Sequence, residues 1–196
     1  MCTEVTLFGR MTLLNKIRND MTAGEYHLER LSVLPVVGPP GIGKTTLIQT
    51  LCNDPRIQEH FSIIIWISVS LNFSVHRLSQ EIFRCIPPTE SDGRSRAREP
   101  TNLDQLQKLI EKRLKSKRFL VVLDDMWTCR SELDWRTLLA PLTKAELDGN
   151  MIIVTTRFQS IAELVKTTNP VTLAGLEPKE FWKFFCYERG YFRIDN

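Results

Sequence analysis

One eight-residue motif constrains the fold of this chain more than any other feature. Gly38-Pro-Pro-Gly-Ile-Gly-Lys-Thr45 fits the pattern G-x-x-x-x-G-K-[ST], in which a glycine-rich loop cradles nucleotide phosphates. The loop follows a predicted strand, Ser32 to Val37, and precedes a helix predicted to begin at Lys44. Glycines let successive backbone N–H groups turn toward one anion, and the positive end of the following helix is directed at the same point. The motif therefore predicts a P-loop nucleotide site.

The residue types in the loop have separate roles. Lys44 would reach the β- and γ-phosphates, and the Thr45 hydroxyl would ligate Mg²⁺. Pro40 has no N–H, so one possible phosphate donor is missing from the loop. The predicted nucleotide-binding residues in and beside the loop are Gly38, Gly41, Ile42, Gly43, Lys44, Thr45 and Thr46.

A second acidic element completes such a site. The apolar run Phe119 to Leu123 reads as a buried strand, and Asp124 and Asp125 follow it directly. Asp124 would hold the Mg²⁺ together with Thr45. Asp125 is placed to orient or deprotonate an attacking water, which makes it the candidate catalytic residue. The alternative is that either aspartate only caps the next turn.

An arginine follows a third predicted strand. Arg157 comes directly after Thr155 and Thr156, at the carboxyl end of the strand Met151 to Thr155. Side chains at this end of a parallel strand face the nucleotide crevice, so Arg157 could contact a γ-phosphate. The alternative is an ordinary surface arginine.

The remaining apolar patterns predict an α/β fold. Phe61 to Val69 is a continuous apolar run that reads as a strand buried on both faces, and Val171 to Leu173 is a short fifth strand. Helical spacing marks Val75 to Ile86, Leu103 to Leu114 and Glu177 to Arg189. Strands that alternate with helices predict a three-layer sandwich around a mainly parallel five-stranded sheet.

Length and composition exclude several classes of protein. The chain has 196 residues, which fits one domain, with a mobile polar loop expected at about 87–101. Its net charge of +3 is too small to argue for nucleic-acid binding, and no apolar run approaches the ~20 residues of a membrane span. Five widely spaced cysteines favour reduced thiols over a disulfide framework or a zinc site, so we expect a cytoplasmic protein.

The order of these motifs resembles the NB-ARC nucleotide-binding domain of plant disease-resistance proteins of the NLR family. The segment from Leu7 to Arg10 looks like the family's opening motif, whose backbone lies against adenine. The P-loop, the acidic strand that ends in Trp127, and the segment from Gly149 to Arg157 also match family motifs. Trp127 resembles the coiled-coil branch of the family rather than the TIR branch. The resemblance covers nearly the whole chain.

The resemblance implies more than the residues alone indicate. It implies that the strand before Arg157 lies between the P-loop strand and the Asp124 strand, and that Phe8 and Arg10 lie near the nucleotide. It implies a switch in which ADP holds the resting state and exchange for ATP permits defence signalling through self-association or other receptor domains. The family's downstream ARC subdomains have no counterpart before Asn196, so we expect weak nucleotide binding and self-association of the 196 residues alone.

Two other function classes remain open from the sequence. A working P-loop ATPase or kinase would need an arginine finger or an Arg-rich lid, for which Arg94, Arg96 and Arg98 are the nearest candidates. A nucleic-acid binder would use the basic run that ends the Leu103 to Leu114 helix and follows it: Lys112, Arg113, Lys115, Lys117 and Arg118. Basic residues at a helix end also suit the helix dipole. We therefore expect a nucleotide switch with at most slow ATP hydrolysis, no membrane partner and no direct nucleic-acid role.

Overall fold

The computed structural model describes residues 8–88, 100 and 102–188 of the chain. The predicted loop at about 87–101 lies largely outside these residues, as does Leu7. Five strands are present: β1 Leu31–Val37, β2 Ile63–Ser70, β3 Phe119–Met126, β4 Asn150–Thr156 and β5 Val171–Thr172. The helices are α1 Met11–Thr22, α2 Lys44–Cys52, α3 Pro55–His60, α4 Val75–Cys85, α5 Leu103–Leu114, α6 Glu132–Leu139, α7 Gln159–Val165 and α8 Pro178–Glu188, with a 3-10 turn at Glu25–His27. No helix among the described residues is long and apolar enough to span a bilayer.

The five strands form one parallel sheet in the order β2-β3-β4-β1-β5. Strand β4 therefore lies between β1 and β3, as the family resemblance implies. All the strands run the same way, so their carboxyl ends meet at one edge of the sheet. This arrangement brings the P-loop, Asp124 and Arg157 to that edge from three adjacent strands.

Helices cover both faces of the sheet, which confirms the predicted three-layer sandwich. The alternation of side chains along a strand places Val121 and Leu123 on one face and Leu120 and Val122 on the other. The first face packs against α4, α5, α6 and α7, and the second packs against α1, α2 and α3. Because β3 is covered on both sides, residues Phe119 to Leu123 are no more than 1% exposed.

The expectation that Phe61 to Val69 is buried on both faces is wrong for one face. Strand β2 is an outer strand, and Ile63, Ile65 and Ile67 are buried while Ile64 and Trp66 are only partly covered. The outer position explains the difference, because the helices on the second face pack mainly over the central strands. An apolar run alone does not distinguish a central strand from an edge strand.

Pro35 lies in β1 without removing a bond from the β1–β4 ladder. The Val33 N–H donates to Thr167 Oγ1 (2.7 Å) and the Val37 carbonyl accepts from Leu173 N (2.7 Å), so both residues bond toward the β5 side. Because bonding direction alternates along a strand, Pro35 faces the same side. Strand β5 begins only at Val171, paired with Val36. The missing N–H of Pro35 therefore falls where β1 has no neighbouring strand.

Candidate functional site

Two glycines give the P-loop its curvature. Gly41 has φ 74° and Gly43 has φ 94°, both in the left-handed region that side chains disfavour. Gly43 is the N-cap of α2, so the loop turns directly into the helix and its backbone amides lie at the helix's positive end. A Cβ at either glycine would meet no atom within 4 Å. The requirement for glycine here is therefore conformational, and the space in front of the loop is open.

Gly38 meets a different constraint. A Cβ at Gly38 would lie 2.8 Å from the carbonyl oxygen of Leu173, directly after β5. The Gly38 N–H also donates to Thr156 O across to β4, at 3.3 Å. Gly38 thus lets the start of the loop pass closely between β4 and the end of β5.

Lys44 is buried within the loop that it terminates. Its side chain is 7% exposed, and Nζ donates to the carbonyl oxygens of Gly38 (2.7 Å) and Pro39 (2.9 Å). Burial and the nearby charge of Arg157 lower the pKa of Lys44, while Asp125 and Asp124 oppose that shift. The loop thereby holds a cation against its own backbone, in the position that the motif predicts for a phosphate contact.

Asp124 is the centre of a hydroxyl–carboxylate cluster. Its Oδ1 accepts from Thr155 Oγ1 at 2.6 Å, and Thr45 Oγ1 lies 3.0 Å from Oδ1 and 3.2 Å from Oδ2. Asp124 is 8% exposed and Thr155 is fully buried. The cluster joins the end of β3, the start of α2 and the end of β4.

The donor set of this cluster fits Mg²⁺. Magnesium prefers oxygen ligands and is usually held by one or two carboxylates together with phosphate oxygens and water. Asp124 and Thr45 supply a carboxylate and a hydroxyl at the point where the P-loop would present phosphates. The described residues contain no group of three or more His, Cys, Asp and Glu side chains that would enclose a metal by themselves.

Asp125 and Arg157 form an ion pair beside this cluster. Arg157 Nε lies 3.3 Å from Asp125 Oδ1, and both side chains are 32% exposed. Trp127 contacts both partners: its indole N–H donates to Asp125 Oδ2 (2.8 Å), and its ring lies 4.3 Å from the centre of the Arg157 guanidinium. The Asp125 backbone has φ 53° and its N–H donates to Thr155 Oγ1 (2.8 Å). The backbone of Asp125 therefore departs from the regular strand conformation, and both its N–H and its carboxylate have partners.

These side chains surround one cavity of about 380 Å³. Its lining residues are Pro40, Gly41, Gly43, Lys44, Thr45, Thr46, Ser68, Asp124, Asp125, Thr155 and Arg157. An adjoining cavity of about 440 Å³ shares Gly41, Gly43 and Thr46 and is lined in addition by Phe8, Arg10, Ile42, Gly175, Leu176, Phe181 and Phe184. The first cavity is polar and charged, and the second is largely apolar. Together they can accommodate a ligand that is anionic at one end and aromatic at the other.

The structure brings the predicted site residues into these two neighbouring cavities. Gly38 lines neither cavity but accepts a hydrogen bond from Lys44. Phe8 packs against Phe184 (5.8 Å between ring centroids) and Tyr187 (5.4 Å), while Arg10 donates to the Ala174 carbonyl. The opening segment and α8 thus form the wall of the apolar cavity.

The cavities also contain residues that were not assigned a place in the site from the sequence, such as Thr155, and two further residues are informative. Ser68 lines the polar cavity from β2, where it is aligned with Asp124. Trp127 contacts both Asp125 and Arg157 without lining the cavity. A hydroxyl that interrupts the apolar β2 run was an available signal for Ser68, but the role of Trp127 depends on contacts with a residue 30 positions away.

A larger cavity of about 650 Å³ lies at the opposite, amino-terminal end of β1. Its lining includes the exposed Glu25 and Glu29 and none of the motif residues. Lys44, Thr45 and Asp124 converge only on the smaller polar cavity, so we place the candidate site there.

Comparisons with known proteins agree with the fold and the motifs. Residues 9–191 match the NB-ARC domain family. The chain is 36% identical over 183 residues to disease resistance protein RGA2 of Solanum bulbocastanum. That alignment covers 93% of this chain and 18% of the relative, so the chain spans under a fifth of the relative's length.

Solved structures show the same fold at lower identity. Cdc6p from Pyrobaculum aerophilum superposes with a TM-score of 0.63 at 14% identity, over 95% of this chain and 51% of that chain. A signal transduction ATPase with numerous domains and a tetratricopeptide repeat sensor, from Pyrococcus horikoshii, gives a TM-score of 0.58 at 21% identity. The second superposition covers 97% of this chain and 26% of that one. These likenesses confirm the predicted α/β P-loop fold.

Proposed function

The chain belongs to the NB-ARC domain family, and on that premise we propose that it is the ADP- and ATP-binding switch domain of a plant disease-resistance receptor. Membership in this P-loop family implies nucleotide binding with Mg²⁺. The observation that carries the proposal is the convergence of Lys44, Thr45, Asp124 and Arg157 on one polar cavity beside an apolar one. A phosphate chain fits the first cavity and an adenine ring fits the second.

The proposed roles follow from the charge of each group. Lys44 would exchange its two carbonyl partners for phosphate oxygens. It binds a phosphate oxygen more strongly than a carbonyl because the ammonium and the phosphate are both charged. Thr45 and Asp124 would hold Mg²⁺, which neutralises the phosphates as they bind. Phe8 and Ile42 would cover the base, and Arg10 would fix the segment that carries Phe8.

Arg157 would supply the difference between the two nucleotides. A ligand shifts a two-state equilibrium only through contacts that differ between the states. An arginine that contacts a γ-phosphate makes such a contact with ATP and cannot make it with ADP. We propose that this difference drives a change in self-association or in contacts with other receptor domains, in the cytoplasm.

We propose no direct role in nucleic-acid binding, and contacts that three residues of the basic run make within the protein support this proposal. Arg113 lies 3.9 Å over the Phe83 ring and donates to the carbonyls of Phe83 and Ile86. Lys115 pairs with Glu146, and Arg118 donates to Asp148 O. These contacts give Arg113, Lys115 and Arg118 roles within the protein.

Nucleotide titration of Lys44→Ala tests the proposal. Losing a charge-assisted contact to phosphate costs about 1.5–3 kcal/mol, so we expect roughly 10- to 150-fold weaker binding of ADP and ATP. Calorimetry measures both affinities. Lys108→Ala is the matched control because Lys108 is exposed on α5 and lies outside the two cavities. Unchanged affinity in Lys44→Ala, with wild-type folding by circular dichroism, would refute the phosphate site.

A further inference from the structure

Trp127 makes contacts that join the two charged side chains at the γ-phosphate end of the cavity. Its indole N–H donates to Asp125 Oδ2 at 2.8 Å, and its ring lies 4.3 Å from the Arg157 guanidinium. Trp127 itself is not among the residues that line the cavity. Its contacts are therefore with the functional side chains and not with the space that a ligand would take.

The ion pair alone would hold Arg157 weakly. Arg157 and Asp125 are each about a third exposed, and a single pair in contact with water contributes little because solvent screens it. A guanidinium that also lies over an indole ring is more restricted in its movement. The cation–π contact adds to the attraction that holds Arg157 in this position. The indole N–H fixes the carboxylate that the guanidinium faces.

Trp127 also contacts an aromatic ring at the end of β4. The Phe158 ring lies edge-on to it at 6.0 Å between centroids. Phe158 follows Arg157 in the chain, and Trp127 follows the end of β3 at Met126. The indole therefore bridges the ends of β3 and β4, the two strands that carry Asp125 and Arg157.

We infer that Trp127 is a positioning residue that holds Arg157 and Asp125 as one preassembled unit for recognition of the γ-phosphate. This inference rests on the proposed function, because it assigns a cause to the discrimination between ATP and ADP. Both carboxylate oxygens of Asp125 are used by this unit, Oδ1 by Arg157 and Oδ2 by Trp127. Asp125 acts here as the anchor of Arg157.

The first test measures discrimination between nucleotides. We define the preference as the ratio of the ADP dissociation constant to that of a non-hydrolysable ATP analogue. Arg157→Ala should lower this preference by about 10-fold or more, as expected for loss of a charge-assisted contact. Trp127→Leu should lower it to a similar extent, while Trp127→Phe, which keeps a ring face but loses the N–H, should fall between Trp127→Leu and the wild type. ADP affinity should stay within about twofold throughout.

A double variant separates positioning from general damage. Trp127→Leu combined with Arg157→Ala should lose no more preference than Arg157→Ala alone, because both changes remove the same unit. Trp182→Phe and Trp182→Leu are the matched controls, since Trp182 is 63% exposed on α8 and lies outside both cavities. Additive losses, equal losses for ADP and the analogue, or an unchanged preference in Trp127→Leu would overturn the inference.

A second test needs no nucleotide. The protein contains four tryptophans, so its indole N–H groups give four resonances in a ¹⁵N correlation spectrum, and Trp127→Phe identifies the relevant one. We expect slow exchange of this proton with water and faster exchange in Asp125→Ala. An unchanged exchange rate of the Trp127 indole proton in Asp125→Ala would overturn the inference that Trp127 and Asp125 form one unit. A wild-type protein that binds neither nucleotide but still shows slow exchange of the Trp127 indole proton would refute the proposed function. The inference that Trp127 holds Asp125 would stand.

Discussion

Asp125 is the predicted catalytic residue, and the structure adds two contacts that the sequence does not reveal. Its position after a buried strand and Asp124 favours a water-activating base. In the fold, however, its two oxygens accept from the indole of Trp127 and from Arg157. Both carboxylate oxygens of Asp125 therefore already have a donor partner within the protein.

This arrangement predicts slow ATP turnover. Among the described residues that line the polar cavity, Arg157 is the sole arginine and it is paired with Asp125. An additional arginine finger can contribute 10³–10⁵ in rate, so we expect turnover far below the median enzyme value of about 10 s⁻¹. A steady-state phosphate-release assay measures it, with Asp124→Asn as the background control. Turnover near the median would favour a working ATPase or kinase.

His60 predicts how stability depends on pH. Burial lowers the pKa of His60 to about 4, and the charge of Arg118 and the neighbouring His27 add to the shift. The Nε2 atom is buried without a hydrogen-bond partner among the described residues, and the two imidazole rings lie 5.2 Å apart. A proton on His60 is therefore accommodated better in the unfolded chain than in the folded one.

The sign follows from the direction of this shift. Between about pH 6.5 and pH 4 the unfolded chain binds more protons at this residue, so stability falls as pH decreases through that range. We expect a loss of the order of 1–2 kcal/mol, after discounting for solvent screening. Urea unfolding at pH 7.5 and pH 5 measures it, and His60→Asn should reduce the difference.

At the scale of elements, Asp54 joins two helices on the second face of the sheet. Its Oδ1 accepts from the Arg56 N–H (2.9 Å) and caps α3, while its Oδ2 pairs with Arg18 of α1 at 2.7 Å. The side chain of Asp54 is 13% exposed and that of Arg18 is 19% exposed, so this ion pair is better shielded from water than a surface pair. Asp54 therefore fixes α1 against α3 as well as beginning α3.

Replacing Asp54 should destabilise the protein more than removing a simple cap. Loss of an N-cap costs about 1 kcal/mol, and loss of the charged partner of Arg18, which keeps its hydrogen bond to Asn15, adds about 1–2 kcal/mol. We expect Asp54→Ala to lower the free energy of unfolding by about 2–3 kcal/mol, measured by urea denaturation. Ser74→Ala, which removes the 3.4 Å cap of α4, is the control and should cost at most about 1 kcal/mol. Equal losses would show that the Arg18 pair contributes nothing.

Helix α8 shows how the apolar cavity and the molecular surface are connected. Phe184 lines the cavity and contacts Phe8, whereas Trp182 and Phe185 stack on one another at 5.7 Å and are 63% and 36% exposed. Phe181 lines the cavity but is also 54% exposed. One face of the helix therefore closes the candidate adenine site and the other presents aromatic rings to the solvent.

At the scale of the whole molecule, these exposed rings predict self-association. Each aromatic side chain offers roughly 150–250 Å², and adjacent exposed rings approach the few hundred Å² that marks an interaction patch. We expect the 196-residue chain to associate as its concentration increases, which sedimentation velocity detects. Trp182→Ser should reduce the association, while Leu28→Ser, which removes an isolated exposed side chain, should not. A monodisperse wild-type monomer at high concentration would contradict the prediction.

The sequence by itself determined the class of fold and the central residues of the site. The P-loop between a strand and a helix, and the apolar strand before Asp124, are local patterns, so the bounds of α5 and β1 could be predicted to within a residue. Helices α1, α3, α6 and α7 were not predicted; the apolar stripes of α1, α6 and α7 are weak signals until they pack on the sheet. Helix α3 could have been predicted, because Asp54 is a favourable N-cap residue and Pro55 is favourable in the first turn of a helix.

Only the tertiary structure decided how residues distant in the chain act together. The strand order β2-β3-β4-β1-β5 makes β2 an edge strand, turns the missing N–H of Pro35 toward the side of β1 that has no neighbouring strand at that position, and brings Trp127 against Arg157. Local periodicity reports which residues turn toward a core, because burial repeats with the period of the helix or strand. It does not report which strands become neighbours, since that depends on the packing of all the elements at once.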